Sequence, residues 1–110
     1  MTDNSTHILD RLAEVIAQRA SDSAETSYTA HLLENAPEMP ARKLVEEATE
    51  ALIEAISGNG EKLAEESADL LYHLLVVWQA AGITPRQVWD ILQARQGLSG
   101  HAEKASRIDT

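Results

Sequence analysis

Two stretches of the chain set acids at regular helical spacing. Lys43, Glu47, Glu50 and Glu54 stand at i, i+4, i+7 and i+11, and Lys62, Glu66, Asp69 and His73 repeat the interval. At about 100° per residue, each set occupies roughly 60° of arc on its helix. A short turn between two such helices lets the stripes face each other, so that Glu47, Glu50, Glu66 and Asp69 converge. Carboxylates a few Å apart in a low dielectric repel strongly; they must protonate, splay into water or bind a cation. Clustered oxygen ligands without thiols suit a hard divalent ion, Mg²⁺ or Mn²⁺.

The first motif is weak on its own, because E-E-x-x-E runs are most often solvated helix faces with i,i+4 partners. The second stands out for its setting. Asp69 opens the run Leu70-Leu71-Tyr72-His73-Leu74-Leu75-Val76-Val77-Trp78. A helix apolar on nearly every side is a buried one. An acid at its start is costly unless paired or metal-bound.

The elements that must carry these groups are marked by their punctuation. Ser5 or Thr6 is the expected cap of a first helix carrying Ile8, Leu9, Leu12, Val15 and Ile16 and ending near Arg19 or Ala20. Ser21 to Thr26 reads as a loop, and Ser27 to Glu34 as a short helix with Tyr28 and Leu32 on one face. Ala36-Pro37-Glu38-Met39-Pro40 breaks it. The first acidic helix is expected from about Pro40 to Ile56, with Leu44, Ala48, Ala51, Leu52, Ala55 and Ile56 as its apolar side. Ser57-Gly58-Asn59-Gly60 ends it, and the second acidic helix runs from about Glu61 to Ala81 with Gly82 as a stop. Thr84-Pro85-Arg86-Gln87 is a capping box with Pro at the first helical position. It opens a last full helix that presents Val88, Trp89, Ile91 and Leu92 and ends at Gly97; residues 98–110 form a polar tail.

No period of two competes with these patterns. The expected fold is all-α, a four- to five-helix bundle-like domain over residues 1–110. The second acidic helix is apolar on more faces than one small bundle can cover. That predicts a homo-oligomer, most simply a two-fold dimer with this helix near the interface; the alternative is a compact monomer with the helix at its centre.

Composition narrows the partners. With 18 acids against 9 bases the net charge is −9, which makes nucleic acid and anionic lipid poor partners for the general surface. An anionic small substrate would need a metal ion or a local basic cluster. Cysteine is absent, so there is neither a disulfide framework nor a thiolate metal site, in keeping with a reducing cytoplasm. The N-terminal residues lack the basic and apolar regions of a signal peptide, and the longest apolar run is too short to span a membrane.

Four segments together resemble a known family. They are Ser27-Tyr28-Thr29-Ala30; Lys43-x-x-Glu46-Glu47-x-x-Glu50; Glu66-x-Ala68-Asp69-Leu70-Leu71-Tyr72-His73-Leu74-Leu75-Val76; and Ser99-Gly100-x-x-Glu103-Lys104-Ala105-Ser106-Arg107. In this order and spacing, from about Leu9 to Arg107, they look like phosphoribosyl-ATP pyrophosphohydrolase, the second enzyme of histidine biosynthesis. E-x-x-E with E-x-x-D marks only the wider all-α nucleotide pyrophosphohydrolase superfamily; the other segments narrow it. Two positions depart from the family pattern: Val45 stands where a Gly usually precedes the Glu pair, and His31 where a basic residue is common. Neither touches the carboxylates. The length leaves no room for the cyclohydrolase domain fused to some relatives, so the stand-alone form is expected.

The resemblance implies hydrolysis of phosphoribosyl-ATP to phosphoribosyl-AMP and pyrophosphate. It implies Mg²⁺ held by Glu47, Glu50, Glu66 and Asp69, with Glu46 or Glu50 as the carboxylate that takes the proton of the attacking water. Lys43 is a candidate phosphate contact, or the i,i+4 partner of Glu47. Lys104 and Arg107 are candidate contacts for substrate phosphate, or part of a solvated tail. His73 could orient a ligand or a water; a core histidine bonded to a backbone carbonyl is the commoner arrangement. Tyr72, Trp78 and Trp89 read as core or interface residues, and stacking on adenine by Tyr28 or Tyr72 is the lesser reading. His7, His31 and His101 lack metal-ligand spacing. Two other functions compete: a general nucleoside triphosphate pyrophosphatase, and a non-catalytic helical dimerisation module whose acids only solvate it.

Overall fold

The computed structural model describes residues 7–96. Five helices follow one another in the described chain: α1 (Ile8–Arg19), α2 (Tyr28–Glu34), α3 (Glu38–Ser57), α4 (Gly60–Ala81) and α5 (Pro85–Arg95), with no strand among these residues. The all-α reading is borne out.

The boundaries follow local chemistry. His7 caps α1, its Nδ1 accepting from the Leu9 amide, whereas the expected caps Ser5 and Thr6 lie outside the described residues. Ser27 caps α2 by accepting from the Ala30 amide at 3.1 Å. Helix α3 begins two residues before the expected Pro40, with Pro37 as its N-cap residue. Pro40 then falls in the first turn, where its missing N–H breaks no intrahelical bond. Thr84 and Gln87 form the full capping box at the start of α5.

Helices α3 and α4 form the most extensive pairing of the molecule. Their link is minimal. Gly58 adopts φ 76°, Asn59 donates its amide back to the Glu54 carbonyl at 3.1 Å, and the Asn59 side chain accepts from the Lys62 amide at 3.0 Å. One turn therefore closes α3 and caps α4. Gly82, φ 74°, ends α4 in the same manner, with the Ile83 amide reaching the Trp78 carbonyl at 2.9 Å.

The core lies at the other end of α4 from this turn. Ile16 of α1, Leu32 of α2, and Leu75 and Val76 of α4 are buried together, with Leu9, Leu12, Met39, Tyr72 and Trp78 packed around them. The last helix is tied in by Trp89, whose Nε1 donates to Asp10 Oδ1 at 2.8 Å and whose ring meets Trp78 edge-on, centroids 5.9 Å apart. No described helix is long and apolar enough to cross a membrane.

One expectation is corrected here. Of the six residues expected on the apolar side of α3, only Ala51 is buried and Leu44 half-buried; Ala48, Leu52, Ala55 and Ile56 are exposed. Helix α3 turns its acidic stripe toward α4, so that Glu47 is buried and the aliphatic stripe looks outward.

Leu32, with no exposed surface, touches the core from a helix of only seven residues. Leu32→Ala should destabilise the fold by about 2–5 kcal/mol, read as a lowered urea midpoint at unchanged slope.

Candidate metal centre and the groups behind it

Antiparallel pairing of α3 and α4 brings the two acidic stripes face to face. Glu47, Glu66 and Asp69 each place a carboxylate oxygen within 4.8 Å of the others. Glu47 is buried, Glu66 half-buried and Asp69 exposed, so the trio, a carboxylate pit in outline, runs from a buried acid to an open one. Oε2 of Glu47 and Oε2 of Glu66 are buried with no hydrogen-bond partner. A buried acceptor without a donor is costly. Two in one carboxylate trio fit a hard cation with oxygen-only ligands.

Glu50, expected among the ligands, is next to the trio but not part of it. Its carboxyl hydrogen-bonds that of Glu66, which two carboxyls can do only by sharing a proton. That bond, then burial, then the charges of Glu50, Glu47 and Asp69 push Glu66 up to about 7. The contact and the surrounding charges thus favour the protonated form of Glu66.

Glu46 is exposed and not part of the trio. It pairs with Lys43 at 3.0 Å, and this hydrogen bond is the main reason that Lys43 holds its proton above the ordinary lysine range. The partner of Lys43 is therefore Glu46 at i+3, not Glu47 at i+4, because Glu47 turns inward to α4.

Behind the trio lies a hydrogen-bonded chain that sequence reasoning did not assemble. His73 Nδ1 is 2.8 Å from the carbonyl of Asp69. A carbonyl only accepts, so Nδ1 carries the hydrogen. In the neutral ring Nε2 then accepts, and the Tyr28 hydroxyl, 3.2 Å away, donates to it. His73 is thus a buried histidine bonded to a backbone carbonyl, the commoner of its two readings. Alongside it, the hydroxyls of Thr29 and Tyr72 hydrogen-bond each other. The Tyr28 and Tyr72 rings lie nearly parallel, centroids 6.3 Å apart and 21° between planes. Both meet His73 edge-on. Burial raises the Tyr28 hydroxyl above its ordinary range, and Lys43 is the main charge opposing that. The signals were present in Ser27-Tyr28-Thr29-Ala30 and in His73, but no spacing rule links residues 45 positions apart.

His7 and His31 take no part in the trio. Lys104, Arg107 and His101 lie outside the described residues.

The model of the family described as phosphoribosyl-ATP pyrophosphohydrolase matches residues 9–96. The chain is 51% identical over 105 residues to the phosphoribosyl-ATP pyrophosphatase of Granulibacter bethesdensis, covering 96% of this chain and 66% of that protein, just under two thirds of its length. It is 48% identical over 103 residues to the protein of that name from Azospirillum brasilense, covering 94% and 93% of the two chains. It is 52% identical over 99 residues to that from Paracoccus denitrificans, covering 90% and 92%.

The shared proton sets a pH dependence. Glu66 holds its proton to about 7 in the folded, metal-free chain, against an ordinary 4.5. Between those values the folded state binds more protons than the unfolded one, so raising the pH favours unfolding. The melting temperature in EDTA should fall from about pH 5 to about pH 8. Excess Mg²⁺ should remove most of the fall, and Glu66→Gln should flatten the EDTA curve. A flat wild-type curve in EDTA would exclude the shared proton.

Proposed function

We propose, since the chain belongs to the phosphoribosyl-ATP pyrophosphohydrolase family, that it hydrolyses phosphoribosyl-ATP to phosphoribosyl-AMP and pyrophosphate, the second step of histidine biosynthesis. The observation that carries the reading is the trio of Glu47, Glu66 and Asp69 with its two unpartnered buried oxygens. These residues would hold Mg²⁺, with Glu50 as the neighbouring fourth carboxylate; Mn²⁺ suits the same oxygens. The ion supplies charge neutralisation on the phosphates and a lowered pKa for a bound water.

The chain's own groups divide the remaining work. To Glu50, which borders the trio against Glu66, we assign the proton of the attacking water. That favours Glu50 over Glu46, whose carboxylate is engaged by Lys43. Water adds to phosphorus, its proton passes to Glu50, and pyrophosphate leaves. Glu47 and Asp69, one buried and one at the rim, keep the negative field centred in the pit. Lys43 stands one helical turn from Glu47 and offers its ammonium to a phosphate. We assign Lys104 and Arg107 to the 5′-phosphate on the second ribose, too far from the metal to be served by it.

We further assign a homodimer, and cytoplasmic residence in keeping with the biosynthetic role. Val45, Leu52 and Ile56 are 64%, 57% and 78% exposed, and at i, i+7 and i+11 they form one stripe on the side of α3 away from the carboxylates. Monomers seldom leave such a stripe bare.

The test of the reaction is turnover of phosphoribosyl-ATP against a panel of nucleoside triphosphates, with pyrophosphate and phosphate measured separately. Glu50→Ala and Asp69→Ala should each lower turnover about a hundredfold or more, a barrier of about 2.7 kcal/mol. Full activity of both at saturating substrate and Mg²⁺ would remove the site; equal turnover of the panel would favour a general pyrophosphatase. For the assembly, the wild-type chain should sediment as a dimer at micromolar concentration, and Leu52→Asp with Ile56→Asp as a helical monomer. A monomeric wild type would rule the dimer out.

A further inference from the structure

Tyr28 is an anomaly. Its neighbours Ser27 and Thr29 are buried and its hydroxyl is bonded to His73, which is 6% exposed, yet Tyr28 itself is 51% exposed. A hydroxyl held against a buried imidazole accounts for little of that area. Half of the residue's surface is thus open to solvent although its hydroxyl is held.

The ring is also fixed. Its hydroxyl is anchored on His73 Nε2, and His73 is in turn oriented by the carbonyl of Asp69. Ser27 fixes the backbone on its N-terminal side by capping α2, and the Thr29 hydroxyl anchors the other side on Tyr72. Tyr72 lies nearly parallel to the ring and stands on one side of it. Tyr28 is therefore an anchored, half-exposed aromatic, joined through His73 to the backbone of Asp69. An aromatic held in place before binding loses little freedom when a flat ligand settles on it.

We propose that the open face of Tyr28 is the platform on which the purine base of the nucleotide substrate stacks, with His73 as the positioning residue that holds the plate. The assignment rests on the nucleotide hydrolase reading above and adds to it where the base lies. The triphosphate goes to the pit and to Lys43; the base, beyond the first ribose, goes to Tyr28. Stacking needs only a π-face, so this contact favours a base-bearing ligand over bare pyrophosphate without reading hydrogen-bonding edges.

The test compares a ligand with a base to one without. AMP and pyrophosphate are titrated into the full chain in Mg²⁺ by calorimetry. Tyr28→Leu should weaken AMP by about tenfold or more and leave pyrophosphate within about twofold, while Tyr28→Phe, which keeps the ring, should stay within about threefold for AMP. A second measurement needs no variant. The chain has two tyrosines, and in the ring-labelled wild type AMP should shift one set of ring-proton signals upfield while pyrophosphate leaves both in place. Unchanged AMP affinity in Tyr28→Leu would overturn the proposal. So would equal loss of both ligands, the mark of a purely structural latch, or ring signals that AMP does not move. Failure of the reaction reading shows separately, as a wild type that does not turn over phosphoribosyl-ATP.

Discussion

Everything at the functional end of this molecule depends on two carboxylate oxygens, one on Glu47 and one on Glu66, that are buried without a donor. A chain optimised only for stability would replace them with aliphatic groups of similar volume, since lone buried acceptors cost more than they return. Under the proposed function, a ligand that brings positive charge accounts for their place in the α3–α4 pairing. The contact with Glu50, which pushes Glu66 up to about 7, eases the same repulsion. Proton and cation are alternative occupants of one negative field.

The architecture absorbs that cost by separating tasks along α4. Its first half carries Glu66 and Asp69 opposite α3; its second half carries His73, Leu75 and Val76 into the core with α1 and α2. His73 sits where the halves meet, with one ring nitrogen on the backbone of Asp69 and the other on Tyr28. A short polar relay thus links the core half of α4 to its acidic half. The position of α2, a helix too short to be stable alone, is set by the packing of Leu32 on one side and these hydroxyl bonds on the other.

Much of this was legible in the sequence, because helix periodicity and capping are local. The five helices, the Gly58 and Gly82 stops and the Thr84-Gln87 box all rest on interactions within a few residues. So does the convergence of acids, which follows from spacing and a short turn. What was not legible is rotational. Leu52 and Ile56 look like core residues in sequence, yet α3 buries the stripe that holds Glu47 instead. The same rotation takes Lys43 to Glu46 and leaves Glu50 beside the trio instead of within it. Periodicity says which residues share a face; it does not say which face is turned inward when a helix has two candidates. The Tyr28–His73 contact was hidden for another reason, since it is tertiary and joins segments with no pattern in common.

The link at Gly58 and Asn59 has a consequence for how this chain can change over generations. Glu47 lies as many residues before Gly58 as Asp69 lies after it, and Glu50 and Glu66 are likewise equidistant from it. The pivot works as a mirror that pairs each acid with its counterpart. Inserting one residue there would leave both helices able to form, but would break the equal spacing that pairs the acids. Loops usually drift freely in length. In this one, a change of length would cost the convergence of the acids, because register here is a chemical property.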